Sequence, residues 1–247
     1  WAGRLGVIRL FAQWLHGSDP QHEVPPQTLI PSRYRRPRPY IYSAEEIQRL
    51  VEAAAALPSL NGLRALTCST LFGLLAVTGL RISEALSLNA ANVDLDAGVV
   101  TLRRGKLGKA RLLPISDSTT ACLAAYARER DRLLGAPSEP FFVADHGERL
   151  TDGGARYNFA AVCQTIGLRP VTKYHRHGRG PRLHDLRHSA ASFGLAGGLG
   201  LEVIGKLLGH ADVKTTRRYA HLSEGYVKAA AESMADGIAD LLSPPSK

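Results

Sequence analysis

The chain has 247 residues, of which 45% are hydrophobic, so it can build the core of one large domain or of two small ones. It contains no run of about 18 apolar residues and no charged lead into a secretion signal, so the sequence favours neither a membrane span nor export. Its 31 lysines and arginines outnumber 22 acidic residues and give a net charge of +9, which favours a polyanionic partner.

The three cysteines, Cys68, Cys122 and Cys163, lie far apart in apolar stretches. They lack the paired spacing of a zinc site, and their odd number argues against a disulfide framework. We therefore predict three buried thiols in a protein of the reducing cytoplasm.

The chain opens with a predicted amphipathic helix that ends near Gly17, because apolar residues recur at steps of three and four. These residues are Trp1, Leu5, Ile8, Phe11 and Leu15. A single helix of this length has little to pack against. We therefore expect residues 1–19 to be the last piece of a domain whose beginning is absent from this sequence.

Residues 20–40 hold six of the 14 prolines of the chain, a composition typical of an extended linker. The same segment is basic, with Arg33, Arg35, Arg36 and Arg38. It can be a solvated linker, or it can lie along phosphates, and we predict phosphate contacts for these arginines. We place the domain boundary here, with the second domain over 41–247.

Helices dominate the second domain. Ser43 and Glu46 predict a capping box at the start of a helix that extends to about Leu57. The next helix, over 63–77, is apolar nearly all round, so we expect it at the centre of a helix bundle. A short helix is predicted over 81–88.

Two short strands over 99–103 and 110–114 flank the turn residues 105–108. This pattern predicts a hairpin with Lys106 at its tip and Lys109 as a competing lysine. The predicted fold class is therefore mainly α with a small antiparallel β-sheet (α+β).

Two longer helices follow, one capped by Asp117 and one that opens at Thr151 or Asp152 and ends near Ile166. Residues 169–182 then form a basic loop without periodicity, in which we predict further phosphate contacts. These contacts are assigned to Lys173, Arg176, Arg179 and Arg182.

The last third of the chain combines residue types that suit a phosphodiester. On a helix, His184, Arg187 and His188 fall on one face. Further along come His210 and then Tyr219. An arginine fork matches two phosphate oxygens, a histidine donates or accepts a proton near neutral pH, and a tyrosine oxygen can attack phosphorus. These residues predict a phosphate-handling site that ends in a nucleophile.

Four segments carry a family resemblance: TGLRISEALSL (78–88), GKLGKARLLPI (105–115), HDLRHSAAS (184–192) and LGHADVKTTRRYAHL (208–222). In order and spacing they resemble the signature boxes of the tyrosine recombinases, the phage integrase family. The resemblance covers residues 41–242 and implies the catalytic-domain fold of that family. Residues 1–19 would then be the C-terminal remnant of a core-binding domain, joined by the linker 20–40.

The resemblance implies a site-specific DNA recombinase that cleaves and rejoins strands through a covalent 3′-phosphotyrosyl intermediate, without metal, cofactor or ATP. The implied catalytic residues are Arg81, Lys106, His184, Arg187, His210 and Tyr219. Tyr219 would be the nucleophile and Lys106 the general acid. Glu84 would orient the Arg81 guanidinium, and His188 would be a buried, supporting histidine.

The implied partners are double-stranded DNA and further copies of the chain in a tetrameric synapse, with no membrane. The C-terminal helix is the expected contact between copies, through an apolar stripe. This stripe consists of Val227, Ala230, Met234, Ile238 and Leu241. The expected location is the bacterial cytoplasm, in association with the nucleoid.

Other interpretations stay open at this point. The HDLRH segment has the spacing of two zinc-binding histidines, with His210 as a third ligand, but Asp185 stands where a metalloprotease needs glutamate. A type IB topoisomerase would use the same chemistry without strand exchange, and an accessory DNA-binding protein would use none of it. Tyr226, seven residues after Tyr219, is the alternative nucleophile.

Overall fold

The computed structural model of the chain describes residues 2–30, 39–104, 109–171 and 180–209. The chain divides into two compact units, Trp1–Arg38 and Pro39–Lys247. In the first unit, helix α1 extends over Ala2–Ser18, which confirms the predicted opening helix. The Arg9 guanidinium donates to the carbonyls of Pro25 and Pro26, both at 2.8 Å, so the segment after α1 turns back along the helix.

The second unit is mainly helical with one small antiparallel sheet, which confirms the predicted fold class. Its described helices are α2 (Ala44–Ala55), α3 (Leu63–Thr78), α4 (Ile82–Leu86), α5 (Asp117–Leu134), α6 (Asp152–Thr165), α7 (Asp185–Ala196) and α8 (Leu201–Leu208). Its strands are β1 (Val93–Asp94), β2 (Val99–Arg104) and β3 (Lys109–Pro114). Of the helices in the described ranges, none is long and apolar enough to cross a bilayer.

Helix α3 forms the centre of this unit, as predicted. Leu63, Leu71 and Phe72 are fully buried, and α3 packs against α2, α5, α6 and α7. The ring of Phe72 meets that of Phe159 edge to face, with 5.3 Å between centroids. The helix ends at Gly79, whose φ of +63° lies in the left-handed region that favours glycine.

The sheet has the order β1-β2-β3, and all its pairs are antiparallel. The predicted hairpin is confirmed as β2 and β3, in which Val100 lies opposite Leu113 and Leu102 lies opposite Arg111. Val100, Leu102 and Leu113 are buried against the helices. Strand β1 was not predicted, because two residues are too few to show an alternating pattern.

Two predicted helix starts differ from those in the structure. Helix α5 begins after Ser116, whose Oγ accepts the backbone N–H of Thr119 at 3.3 Å, so Ser116 is the cap and Asp117 the first helical residue. Both residue types cap helices well, and the local backbone conformation selects between them. Helix α4 begins at Ile82, one residue later than predicted. Arg81 is the residue before the helix, with an extended backbone, and its N–H donates to the carboxylate of Glu84.

The prediction of three buried thiols is wrong for one of them. Cys122 is exposed on α5, where it lines an open surface groove beside α3 instead of lying in the core. Cys68 and Cys163 are buried as predicted, and burial raises the pKa of each thiol to about 12.

The start of the second unit is attached to α7. The backbone N–H of Tyr42 donates to Ser189 Oγ at 2.8 Å, and the Tyr42 hydroxyl donates to the carbonyl of Arg182 at 3.3 Å. Ser189 Oγ in turn donates to the carbonyl of Asp185 at 3.1 Å. These bonds fix the helix that carries Arg187.

Candidate active site

Arg81 and Glu84 form the first part of the candidate site, at the start of α4. Arg81 Nη1 donates to Glu84 Oε1 at 2.8 Å, and the backbone N–H of Arg81 donates to Glu84 Oε2 at 3.0 Å. The side chain of Arg81 is 38% exposed, whereas that of Glu84 is 15% exposed. The carboxylate thus holds the guanidinium from the interior side, which is the geometry that an orienting role requires.

The ionisation of Glu84 depends on its arginine neighbours. Burial by itself would raise the pKa of this carboxyl group. Hydrogen bonds from the Arg81 backbone N–H and guanidinium, together with the charge of Arg111, more than offset that effect and lower the pKa below the usual glutamate value. Glu84 is therefore ionised at neutral pH.

Arg187 lies in the interior of the candidate site and is only 3% exposed. Its Nη1 donates to the carbonyl of Gly79 at 2.5 Å, and its Nη2 donates to the carbonyl of Leu208 at 2.6 Å. Gly79 stands two residues before Arg81, and Leu208 stands two residues before His210. One side chain from the third signature segment therefore joins the backbones of the first and the fourth.

The packing around Gly79 leaves no room for a side chain. A Cβ atom at this position would lie 2.5 Å from Leu208 Cδ2 and 3.2 Å from Ala190 Cβ. Because φ at Gly79 is also positive, backbone conformation and close approach both require glycine there. The contact brings α8 against the turn that precedes Arg81.

His184 and His188 lie one helical turn apart at the start of α7. Their ring centroids are 5.2 Å apart, and the rings are nearly perpendicular at 85°. His184 is exposed, whereas His188 is 6% exposed and Arg187 is buried. His184, Arg187 and His188 were predicted to share one helix face, and in the structure this face extends from the surface at His184 into the interior at Arg187 and His188.

Arg182 is the one predicted phosphate-contacting residue within the described ranges. Its Nη2 is 3.1 Å from Asp185 Oδ1, and its backbone N–H donates to Asp185 Oδ2 at 2.8 Å. Its side chain is 49% exposed. Arg182 thus has both an internal ion-pair partner and a surface position.

Many other residues of the predicted site lie outside the described ranges: Lys106, His210, Tyr219, Tyr226, Arg33, Arg35, Arg36, Arg38, Lys173, Arg176, Arg179 and the stripe from Val227 to Leu241. The structure does describe the chain next to two of the predicted catalytic residues, Lys106 and His210. Strand β2 ends and β3 begins on either side of residues 105–108, and Gly209 immediately precedes His210.

Arg111 belongs to the site but was not predicted from the sequence. Its Nη2 is 3.3 Å from Glu84 Oε2, and its side chain is only 16% exposed. A signal was present, because strand residues alternate between two faces and Arg111 shares the face of the buried Leu113. An arginine at an inward strand position needs a polar partner in the interior, and here that partner is Glu84.

The described part of the site can stabilise negative charge. Arg81, Arg111 and Arg187 bring three guanidinium groups into one partly buried region. Because Arg111 and Arg187 are largely buried, their charges act on an anion more strongly than they would at an exposed surface. Within the described residues, no group of three or more His, Cys, Asp or Glu side chains could hold a metal ion, and His210 lies outside those residues.

Comparison with known proteins identifies the family. The model of the phage integrase family matches residues 41–225. A protein of Sinorhizobium fredii that is named as an integrase/recombinase, y4rB, is 41% identical over 232 residues, which cover 89% of this chain and 73% of that protein. The chain therefore belongs to the phage integrase family, whose members are the tyrosine-type site-specific recombinases.

Solved structures show the same fold. The XerH site-specific recombinase bound to palindromic difH substrate has a TM-score of 0.64 at 20% identity, over 85% of this chain and 60% of that one. A lambda integrase tetramer bound to a Holliday junction has a TM-score of 0.58 at 18% identity, over 85% of this chain and 60% of that one. The expected catalytic-domain fold is thus confirmed.

Proposed function

We propose that this chain cleaves and rejoins DNA strands at specific sites through a covalent 3′-phosphotyrosyl intermediate on Tyr219, without a metal or ATP. The observation that supports this most is the Arg187 contact with Gly79 and Leu208, at 2.5 and 2.6 Å. It brings the segment that contains Arg81 and the segment that leads to His210 to the same place in the fold. A recombinase needs these groups around one phosphate.

In the proposed reaction, the Tyr219 oxygen attacks phosphorus and the 5′-oxygen of the broken linkage leaves. Negative charge then builds on the nonbridging oxygens, and Arg81 and Arg187 stabilise it, each by roughly 3 to 4 kcal/mol. We assign His184, whose ring is exposed, the role of assisting the ionisation of Tyr219, because a free tyrosine has a pKa of about 10 and ionises little at neutral pH. Lys106 gives a proton to the departing 5′-oxygen.

The second half of the reaction reverses the first with a different strand. The 5′-hydroxyl of another strand attacks the phosphotyrosyl ester and releases Tyr219. The tyrosyl ester conserves the energy of the original linkage, which is why the sequence of steps needs no ATP. Because Arg187 is only 3% exposed, a phosphate can reach it only when neighbouring groups move upon DNA binding.

A suicide DNA substrate, from which the cleaved 5′-end diffuses away, tests the nucleophile. The wild type should accumulate a covalent protein–DNA adduct, also in excess EDTA, whereas Tyr219→Phe should form none and bind DNA nearly as well. Tyr226→Phe is the matched control and should behave like the wild type. An adduct that survives Tyr219→Phe but not Tyr226→Phe would contradict the assignment.

Two DNA sites in one assay then separate recombination from relaxation. Exchange of strands between the sites is expected of a recombinase. Adduct formation with plasmid relaxation but without exchange would instead identify a topoisomerase. Binding without any adduct would identify an accessory protein and would overturn the proposal.

We also propose that the chain binds double-stranded DNA through two basic segments, in the bacterial cytoplasm and in association with the nucleoid. The segments are the linker 20–40 and the loop 169–182, which flank or lie within the catalytic domain assigned to 41–247. The net charge of +9 supports a DNA partner. Of the lysines and arginines proposed to contact phosphates, Arg182, which is half-exposed, lies within the described residues.

Self-association on DNA is the last part of the proposal, with the C-terminal apolar stripe as the contact. An apolar groove of about 570 Å³ lies between α2, α3, α7 and α8. Val77 and Phe193 line it and are 66% and 41% exposed. We propose that the stripe of a second copy occupies this groove, as the chain has 38 residues after Gly209 from which to supply it.

Sedimentation of protein–DNA complexes tests this contact. Val77→Ser and Phe193→Ser should lower the fraction of multimeric complexes, while binding of one copy to one half-site stays unchanged. Leu60→Ser, which changes a fully exposed leucine outside the groove, is the control. Unchanged assembly in both groove variants would overturn the proposal.

A further inference from the structure

Arg111 connects three parts of the candidate site. From its place in β3, its Nη2 contacts Glu84 Oε2 at 3.3 Å, and its Nη1 donates to the carbonyl of Leu207 at the end of α8. Glu84 in turn holds the Arg81 guanidinium at 2.8 Å. A chain of polar contacts therefore runs from the end of α8 through β3 to Arg81.

The Arg111 guanidinium also lies close to Gly209, the residue before His210. A Cβ atom on Gly209 would lie 2.8 Å from Arg111 Cζ and 2.9 Å from its Nε, and φ at Gly209 is +65°. The Arg111 guanidinium therefore lies directly against the backbone of Gly209, which immediately precedes His210. Strand β3 itself begins three residues after Lys106.

We propose that Arg111 is a positioning residue for the cleavage reaction, one that orients Arg81 through Glu84 and fixes the backbone that leads to His210. This inference rests on the proposed function. An arginine suits the task because its planar fork can donate to a carboxylate and to a carbonyl in different directions at once. A lysine keeps the charge but has a single ammonium group, so it can satisfy only part of this arrangement.

The experiment measures single-turnover cleavage of the suicide substrate, DNA affinity and melting temperature in parallel. Arg111→Met keeps side-chain length but removes the charge and the donors, so cleavage should slow by about 10²-fold, the usual cost of misplaced reacting groups. Arg111→Lys should recover part of that loss. DNA affinity should change by about twofold or less in both, because Arg111 is a small part of the total charge.

Arg132→Met is the matched control. Arg132 also pairs with a glutamate, Glu129, at 2.6 Å, but on the exposed surface of α5. The Arg132→Met variant should cleave DNA at the wild-type rate. This comparison separates the particular position of Arg111 from the general loss of one arginine–glutamate pair.

A double-mutant cycle tests the route through Glu84. If Arg111 acts through that carboxylate, Arg111→Met should slow the Glu84→Ala variant by clearly less than it slows the wild type. A residue that only stabilised the fold would give independent effects, and its loss would lower melting temperature and DNA affinity together with the rate. If Arg111→Met does not fold, Arg111→Lys carries the same cycle.

The outcomes separate this inference from the proposed function. A wild type that forms no Tyr219 adduct overturns both. A wild type that forms the adduct, together with an Arg111→Met variant that cleaves equally fast, overturns the inference alone. Slow cleavage by Arg111→Met and Arg111→Lys at near wild-type affinity, with a non-additive cycle, supports it.

Discussion

At the scale of single residues, Glu84 should make stability depend on pH. Its folded pKa is lower than that of the unfolded chain, about 4.5, so its ionised form stabilises the fold. This contribution is complete above about pH 4.5 and is lost as the pH falls through the lower folded value. Glu84→Gln should thus unfold with a free energy about 1 to 3 kcal/mol lower at pH 7, and the difference should shrink below about pH 4.5.

Urea unfolding between pH 3 and pH 8 measures this difference. Glu129→Gln is the comparison, because the side chains of Glu129 and Arg132 are 43% and 68% exposed, so water and salt screen their interaction. Its effect should be much smaller and should disappear at high salt. A Glu84→Gln difference that stays constant across the whole pH range would contradict the assigned role of the ionised carboxylate.

Lys106 carries the second prediction at this scale. In the proposed reaction it is the general acid that protonates the departing 5′-oxygen, so Lys106→Ala should slow cleavage by about 10²- to 10⁴-fold. DNA affinity should barely change, because one lysine is lost from 31 basic residues. A substrate with sulfur in place of the bridging 5′-oxygen should largely restore cleavage, since a thiolate leaves without a proton.

Two further variants make the sulfur test specific. Arg187→Ala should stay slow on the sulfur substrate, because in the proposed reaction Arg187 interacts with nonbridging oxygens and not with the leaving group. Lys109→Ala should cleave the normal substrate at nearly the wild-type rate. Sulfur rescue of Lys109→Ala but not of Lys106→Ala would place the general acid three residues further along the hairpin.

At the scale of secondary-structure elements, the start of α2 shows how local sequence fixes a helix. Ser43 Oγ accepts the backbone N–H of Glu46 at 3.1 Å, and Glu46 Oε2 accepts the backbone N–H of Ser43 at 2.9 Å. Two donors that would lack a helical partner are thereby satisfied. Ser43→Ala should lower the free energy of unfolding by about 0.5 to 2 kcal/mol.

Chemical denaturation measures this cost, and Gln48→Ala in the same helix is its control. Gln48 is exposed and bonds only Glu52, one turn on, at 2.8 Å among the contacts described. Its loss should cost about 0.2 to 0.5 kcal/mol. Equal costs for the two variants would show that the cap contributes nothing beyond an ordinary surface contact.

At the scale of the whole molecule, the excess of basic residues should dominate DNA binding. If six to ten phosphates are contacted, affinity should fall by about 10³- to 10⁵-fold between 50 and 200 mM salt. Each arginine of the linker that contacts a phosphate should reduce the slope of log affinity against log salt by about 1 when it is changed to glutamine. Arg33, Arg35, Arg36 and Arg38 are the positions to change.

Titration of labelled duplex DNA at several salt concentrations measures the slope. Arg132→Gln, which also removes one positive charge but lies on α5, should leave the slope unchanged. A flat response to salt would contradict phosphate binding altogether. If the linker variants leave the slope unchanged, the phosphate contacts must be made by other parts of the chain.

Most secondary-structure elements and the family of this protein could be predicted from local patterns in its sequence. The capping box at Ser43, the apolar helix α3 and the β2–β3 hairpin each depend on residues that lie close together in the chain. A short stretch of sequence therefore predicts each of them. The same holds for the candidate catalytic residues, because each lies within a short contiguous segment. Local sequence did not suffice at the start of α5, where Ser116 and Asp117 are both good capping residues and only the structure shows that Ser116 is the cap.

The way in which the signature segments contact one another could be learned only from the folded structure. The partners of Arg187 are 108 and 21 residues away in the chain, and Arg111 lies 27 residues from Glu84. Such contacts depend on how α7, α8 and β3 pack around the turn at Gly79, and no local pattern encodes that packing. The interior position of Arg187 and the exposure of Cys122 follow from the same cause, because burial is a property of the assembled fold and not of residue type.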